Sequence, residues 1–129
     1  MSIAHYFRCF SEPTRWRILH LLRQGPLCVC HLQEILDEPQ AKISKQLAYL
    51  KPYGLVTARR HHNWTIYSLP PHLPAEVEAM LDLPLDEADQ KTLTADRLRR
   101  DALLRRLVET SEAPEPIGVL LARGEIGCC

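Results

Sequence analysis

The stretch from Leu27 to Leu55, LCVCHLQEILDEPQAKISKQLAYLKPYGL, leaves this chain the least freedom in how it can fold. Leu32, Ile35 and Leu36 recur at helical spacing and predict a short helix with one apolar side. Asp37, Glu38 and Pro39 break that period, and a second helix follows with Ile43, Leu47 and Leu50 inward. Gln40, Lys42, Ser44, Lys45, Gln46 and Tyr49 are left for the rest of its surface. Two short helices joined by a tight turn form a helix-turn-helix, whose second helix enters the major groove of DNA.

The charges fit that reading only when they are located. Net charge is zero, yet between Pro39 and Ala75 there is no Asp or Glu, while Lys42, Lys45, Lys51, Arg59 and Arg60 give +5. An acidic cluster, Glu76, Glu78, Asp82, Asp86, Glu87 and Asp89, follows at once. Such segregation is the electrostatic footprint of a DNA-binding face on an otherwise neutral protein.

At 129 residues the chain is one domain's worth, small enough that a second subunit would help bury its apolar faces. It has no apolar run of about 18 residues and no signal-peptide core, so a cytoplasmic location is expected. In a reducing compartment, its five cysteines point to metal or redox chemistry before structural disulfides.

Upstream, Ile3, Phe7 and Phe10 predict an amphipathic helix. Ser11 or Glu12 can cap the next one, with Pro13 in its first turn. That second helix carries Trp16, Ile18, Leu19 and Leu22 and stops at Gly25-Pro26. Downstream, Leu55 to Arg60 and Thr65 to Leu69 read as two strands around the loop His61-His62-Asn63, a wing. Arg59, Arg60 and the loop, His62 included, are expected near phosphate or in the minor groove. A helix is predicted from Ala75 to Leu83, and another from about Asp86 to Thr110 with Leu93, Leu98, Ala102, Leu104, Leu107 and Val108 along one side. The arginines at 97, 99, 100, 105 and 106 are interleaved with Asp96, Asp101 and Glu109, which describes an ion-paired face more than a second nucleic-acid patch. The expected organisation is a mainly α winged helix-turn-helix domain over 1–110, with a two-stranded β wing, and a flexible tail over 111–129 that ends in Cys128-Cys129.

Cys28 and Cys30 carry the other chemistry. Thiolates are soft ligands for zinc, cadmium or copper(I), and by extension for trivalent arsenic and antimony. On a regular helix, residues i and i+2 point about 200° apart. One ion can hold both sulfurs only if the first turn is irregular or unwinds on binding, and either event would disturb the neighbouring helix. His31 could ligate zinc or be a bystander.

The runs LCVCHL, PQAKISKQLAYLKPYGLV and RRHHNWTIYSL, within roughly Phe10 to Leu81, resemble the ArsR/SmtB family of winged-helix repressors, particularly its arsenite- and cadmium/lead-sensing members. The resemblance implies a homodimer, joined through its first helix and a C-terminal one, that binds operator DNA. It carries base or phosphate contact over to Gln40, Lys42, Ser44, Lys45 and Gln46. It also implies release by trivalent arsenic or antimony on the thiolates, the alternative inducers being cadmium, lead or zinc. Many arsenite-sensing relatives have a third cysteine where this chain has Gln33. The missing ligand must come from Cys128, Cys129 or Cys9, or else the inducer needs only two thiols. A thiol redox switch, with Cys128-Cys129 as its reactive pair, is the competing reading. Nucleophile, base and orienting residue occur in no recognisable arrangement, so an enzyme is not expected.

Overall fold

The computed structural model describes residues 2–61 and 64–111. Ser2 caps α1 (Ile3–Ser11), its hydroxyl accepting from Ala4 N–H at 3.2 Å. Glu12 caps α2 (Pro13–Arg23) by accepting from Arg15 N–H at 2.8 Å, with Pro13 at a position whose missing N–H costs nothing. Ser11 instead closes α1, donating to the Arg8 carbonyl at 2.8 Å. A two-residue strand β1 (Leu27–Cys28) leads into α3 (Val29–Leu36), and α4 (Gln40–Leu50) follows. A single 3-10 turn, Lys51–Tyr53, ends at Gly54, whose φ of 72° suits glycine. The wing strands β2 (Thr57–His61) and β3 (Trp64–Ser68) come next, then α5 (Ala75–Leu81) and α6 (Glu87–Ser111).

The sheet has three antiparallel strands in the order β1-β3-β2, one more than the expected wing. Leu27 pairs with Tyr67 and Cys28 with Ile66, so the residues ahead of α3 are stitched to the wing. The β2–β3 ladder runs from Thr57↔Ser68 to His61↔Trp64.

The main core gathers Ile18, Leu19, Leu22, Leu32, Ile35, Ile43, Leu47 and Leu50, as the helical spacings require, and Leu55 ahead of β2 joins them. Two expectations about faces, on α1 and α6, are corrected, and α2 buries two residues more than those named. On α1 the inward residues are Tyr6 and Cys9, while Ile3 and Phe7 are 50% and 54% exposed. On α2 Leu21 and Thr14 are buried, and Trp16 only half so. On α6 the buried side chains are Asp96, Leu103 and Leu104, whereas Leu98 and Ala102 face outward. The physical reason for the last is that α6 packs on both α2 and α3, so its inward side is set by those two helices and not by the apolar spacing of its own sequence.

The ion-paired reading of α6 is borne out at Arg99–Asp96 and Arg100–Asp101. Further bonds leave the helix altogether. Arg106 reaches Glu34 of α3 at 2.8 Å, and Arg100 donates to the Gln24 carbonyl at the end of α2 at 3.2 Å. No helix among the described residues is long and apolar enough to cross a membrane.

Candidate DNA-reading face and thiol site

Cys28 is the N-cap of α3, with extended backbone (φ −88°, ψ 166°). Cys30 is the second residue of the helix proper. The first of the two cysteines therefore precedes the helical turn, so the separation of about 200° expected on a regular helix does not apply to this pair. Cys28 is only 2% exposed and packs on Ile66 of β3, with half-buried Cys30 and Trp64 against the same small cluster. Residues 64 and 66 share one face of β3 by the strand period, and Tyr67 on the other face joins the main core. Both thiol positions thus lie beside the wing as well as at the head of α3.

His31 is buried, where an exposed bystander or ligand was expected. Its Nδ1 accepts the Cys28 backbone N–H at 3.2 Å, and the Cys28 side chain receives the His31 backbone N–H, a reciprocal capping arrangement. This fixes Cys28 and engages the His31 Nδ1 with the backbone. Cys28 and Cys30 are both in the disulfide-bonded state, and Cys9 is the free thiol of the described cysteines. Cys9 is fully buried in the main core, a separate cluster from the other two, and burial pushes its thiol pKa up against the weaker opposing pull of Arg15. It is not brought to the Cys28–Cys30 position. Cys128 and Cys129 lie outside the described residues. A cleft of about 620 Å³ adjoins Cys30 and is lined by Gln33, Glu34, Asp37, Glu38 and Pro39, so the place of the absent third cysteine opens onto it.

On α4, Gln40, Ser44 and Lys45 are exposed, along with the small residues Ala41 and Ala48. Spacings of three and four put these on one side of the helix. Lys42 is half-buried and paired with Glu38 at 3.1 Å. Gln46 departs from the expected surface position. It is 8% exposed, and its Oε1 accepts from Arg15 Nη1 at 2.8 Å, because the helix turns this residue toward α2. Arg15 also donates to the carbonyls of Cys9 (3.2 Å) and Arg8 (2.8 Å) and lies 3.9 Å over the ring of half-buried Tyr49. One guanidinium thereby ties the end of α1 to the inner side of α4. Arg59 and Arg60 are exposed on β2, and His62 and Asn63 lie outside the described residues.

Sequence reasoning missed Arg15, and it missed the second partner of Asp96, which is Arg17. The carboxylate of Asp96 accepts from Arg17 Nε and Nη2 at 2.8 and 2.7 Å and from Arg99 Nη2 at 2.7 Å. The signal available was an acid on α6 among arginines, but nothing in the sequence pairs it with Arg17.

Residues 12–58 match the family model described as "Bacterial regulatory protein, arsR family". The chain is 40% identical over 110 residues to the arsenic resistance transcriptional regulator ArsR1 of Pseudomonas putida, covering 84% of this chain and 80% of that protein. It is 42% identical over 77 residues to the arsenical resistance operon repressor of Escherichia coli, covering 59% of this chain and 66% of that one. A solved structure described as a possible transcriptional regulator for arsenical resistance superimposes with a TM-score of 0.52 at 32% identity, covering 67% of this chain and 92% of that one. With a helix-turn-helix, a basic α4 and a wing already in place, these likenesses lead to one conclusion: the chain belongs to the arsR family of bacterial regulatory proteins and is a DNA-binding transcriptional regulator, not an enzyme.

Proposed function

We propose that the protein is a cytoplasmic, homodimeric repressor that leaves its operator when trivalent arsenic or antimony binds the reduced thiolates of Cys28 and Cys30. The observation that carries this is the position of Cys28, at once the N-cap of α3 and a rung of the wing sheet. An ion drawing its sulfur toward Cys30 pulls on α3 and on β3 together, and α4 follows α3 after three residues. Couplings of this kind run to about 1 to 3 kcal/mol, or roughly 5- to 150-fold in affinity. Names of relatives that refer to arsenic support the inducer class. A pyramidal arsenic wants three sulfurs, and the third is assigned to Cys128 or Cys129, since buried Cys9 would have to leave the core. Cadmium, lead or zinc would need the same thiols plus a further ligand.

On the DNA side, Gln40, Ser44 and Lys45 face the groove, Lys42 joins them by exchanging Glu38 for phosphate, and Arg59, Arg60 and His62 meet the backbone. Tyr49 contributes only its free edge, and Gln46 is withdrawn from the contact set. The subunits join through α1, where Ile3 and Phe7 are exposed, and a C-terminal helix.

Fluorescence anisotropy of an operator fragment, with arsenite added under reducing conditions, tests the proposal. Arsenite should weaken binding by fivefold or more, roughly the lower end of known couplings. Unchanged affinity with arsenic demonstrably bound would refute it. A second reading, a thiol redox switch, is favoured by the disulfide state of both cysteines. It predicts release by peroxide with no metalloid present.

A further inference from the structure

The reading above gives α3 one loaded end. Its other end is also held. Arg99, on α6, donates through Nε to the Ile35 carbonyl at 2.8 Å and through Nη2 to Asp96 at 2.7 Å. Ile35 is in the last turn of α3, whose final carbonyls lack partners inside the helix and carry the negative end of its dipole. A guanidinium suits that place on both counts. Asp96 is 1% exposed and is gripped on its other side by Arg17 of α2 in a two-pronged pair, so Arg99 is itself fixed. Glu38, in the turn between α3 and α4, holds Lys42 of α4.

We propose that Arg99, held by Asp96 and Arg17, is a positioning residue for the release step: it makes the C-terminal end of α3 a pivot. The proposal rests on the inducer reading given above. A rod of eight residues is about 12 Å long. If both its ends were free, a pull at Cys28 would slide α3 and be absorbed in its side-chain packing. With the far end pinned beside Asp37 and Glu38, the same pull tilts α3 and is delivered into the turn that orients α4. Arg99 therefore governs how strongly the inducer is felt at the operator, from the end of α3 opposite the thiols.

The test uses the full chain, reduced, with arsenite as the probe. Arg99→Ala is expected to bind arsenite with unchanged stoichiometry and to within about twofold in affinity. The ratio of operator dissociation constants with and without arsenite should fall from the wild-type value, about fivefold or more, to within about twofold of one. Arg106→Ala removes an exposed pair with Glu34 on the same helix and should leave the ratio within about twofold of wild type. A second measurement needs no variant. In the wild type, arsenite should speed amide exchange in the first turn of α3 while leaving residues 35–37 protected. The pivot is overturned if folded Arg99→Ala keeps the wild-type ratio, or if exchange rises evenly along α3. A wild type that binds arsenite without any loss of operator affinity sinks the inducer reading itself, and is told apart by showing no ratio for Arg99 to alter.

Discussion

Cys28 and Ile66 face each other across the β1–β3 ladder, and the same Cys28 caps α3. The thiol position is thus shared between the wing and the helix that supports α4. On the proposed reading, a ligand on its sulfur would act on both α4 and the wing, whereas a ligand further along α3 would act on one.

Cys30→Ser should abolish the arsenite response while leaving the fold nearly unchanged, because Cys30 is only half-buried. Cys28→Ser should abolish it too and cost about 1 to 2 kcal/mol, since it buries a hydroxyl where a small apolar side chain sat. Anisotropy titration and thermal melts of the two variants check this. A retained response in the double substitution would remove the thiols from the mechanism.

Lys45→Ala should lower operator affinity and reduce the slope of log K against log salt by about one, the signature of a lost phosphate contact. Gln46→Ala should behave differently. It leaves a donor of Arg15 unpaired and should cost about 1 kcal/mol of stability, with base preference unchanged when a set of single-base operator variants is compared.

Asp96→Ala removes the acceptor for two arginines, one of them only 18% exposed. Breaking a buried pair costs about 3 to 5 kcal/mol, but Arg99 is half-exposed and can rehydrate, so roughly 2 kcal/mol is expected. For a domain of this size that is a fall in Tm of about 5 to 10 °C, read by calorimetry.

Burial holds the pKa of His20 below its ordinary value of about 6.5, helped by the charge of Arg23. The unfolded chain therefore takes up a proton that the folded one resists. The stability contribution is complete above about pH 6.5 and is lost as pH falls from there through the lower folded value. His20→Gln should flatten the decline of Tm between about pH 7 and 5. An equally steep decline in the variant would place the acid sensitivity elsewhere.

Local periodicity was enough to place the helices, the turn at Asp37-Glu38-Pro39, the wing and the basic α4, because each is specified by neighbours three or four residues away or by alternation along a strand. The buried sides of α3 and α4 were legible for the same reason. The thiol pair could be read as a site from its chemistry, but its geometry could not: whether Cys28 belongs to the helix depends on the β1–β3 pairing, a contact between residues far apart in sequence. Gln46 looked like any polar residue on a recognition helix until α2 brought Arg15 against it. Asp96 looked like a solvated charge until Arg17, 79 residues away in sequence, closed on it. Sequence thus settled the helices, the two wing strands and the basic character of α4, since those follow from short-range spacing and charge, while the third strand β1 came only from pairing with distant β3. Tertiary packing alone decided which polar side chains are spent inside the protein, because a buried hydrogen bond requires a partner that only the folded chain supplies.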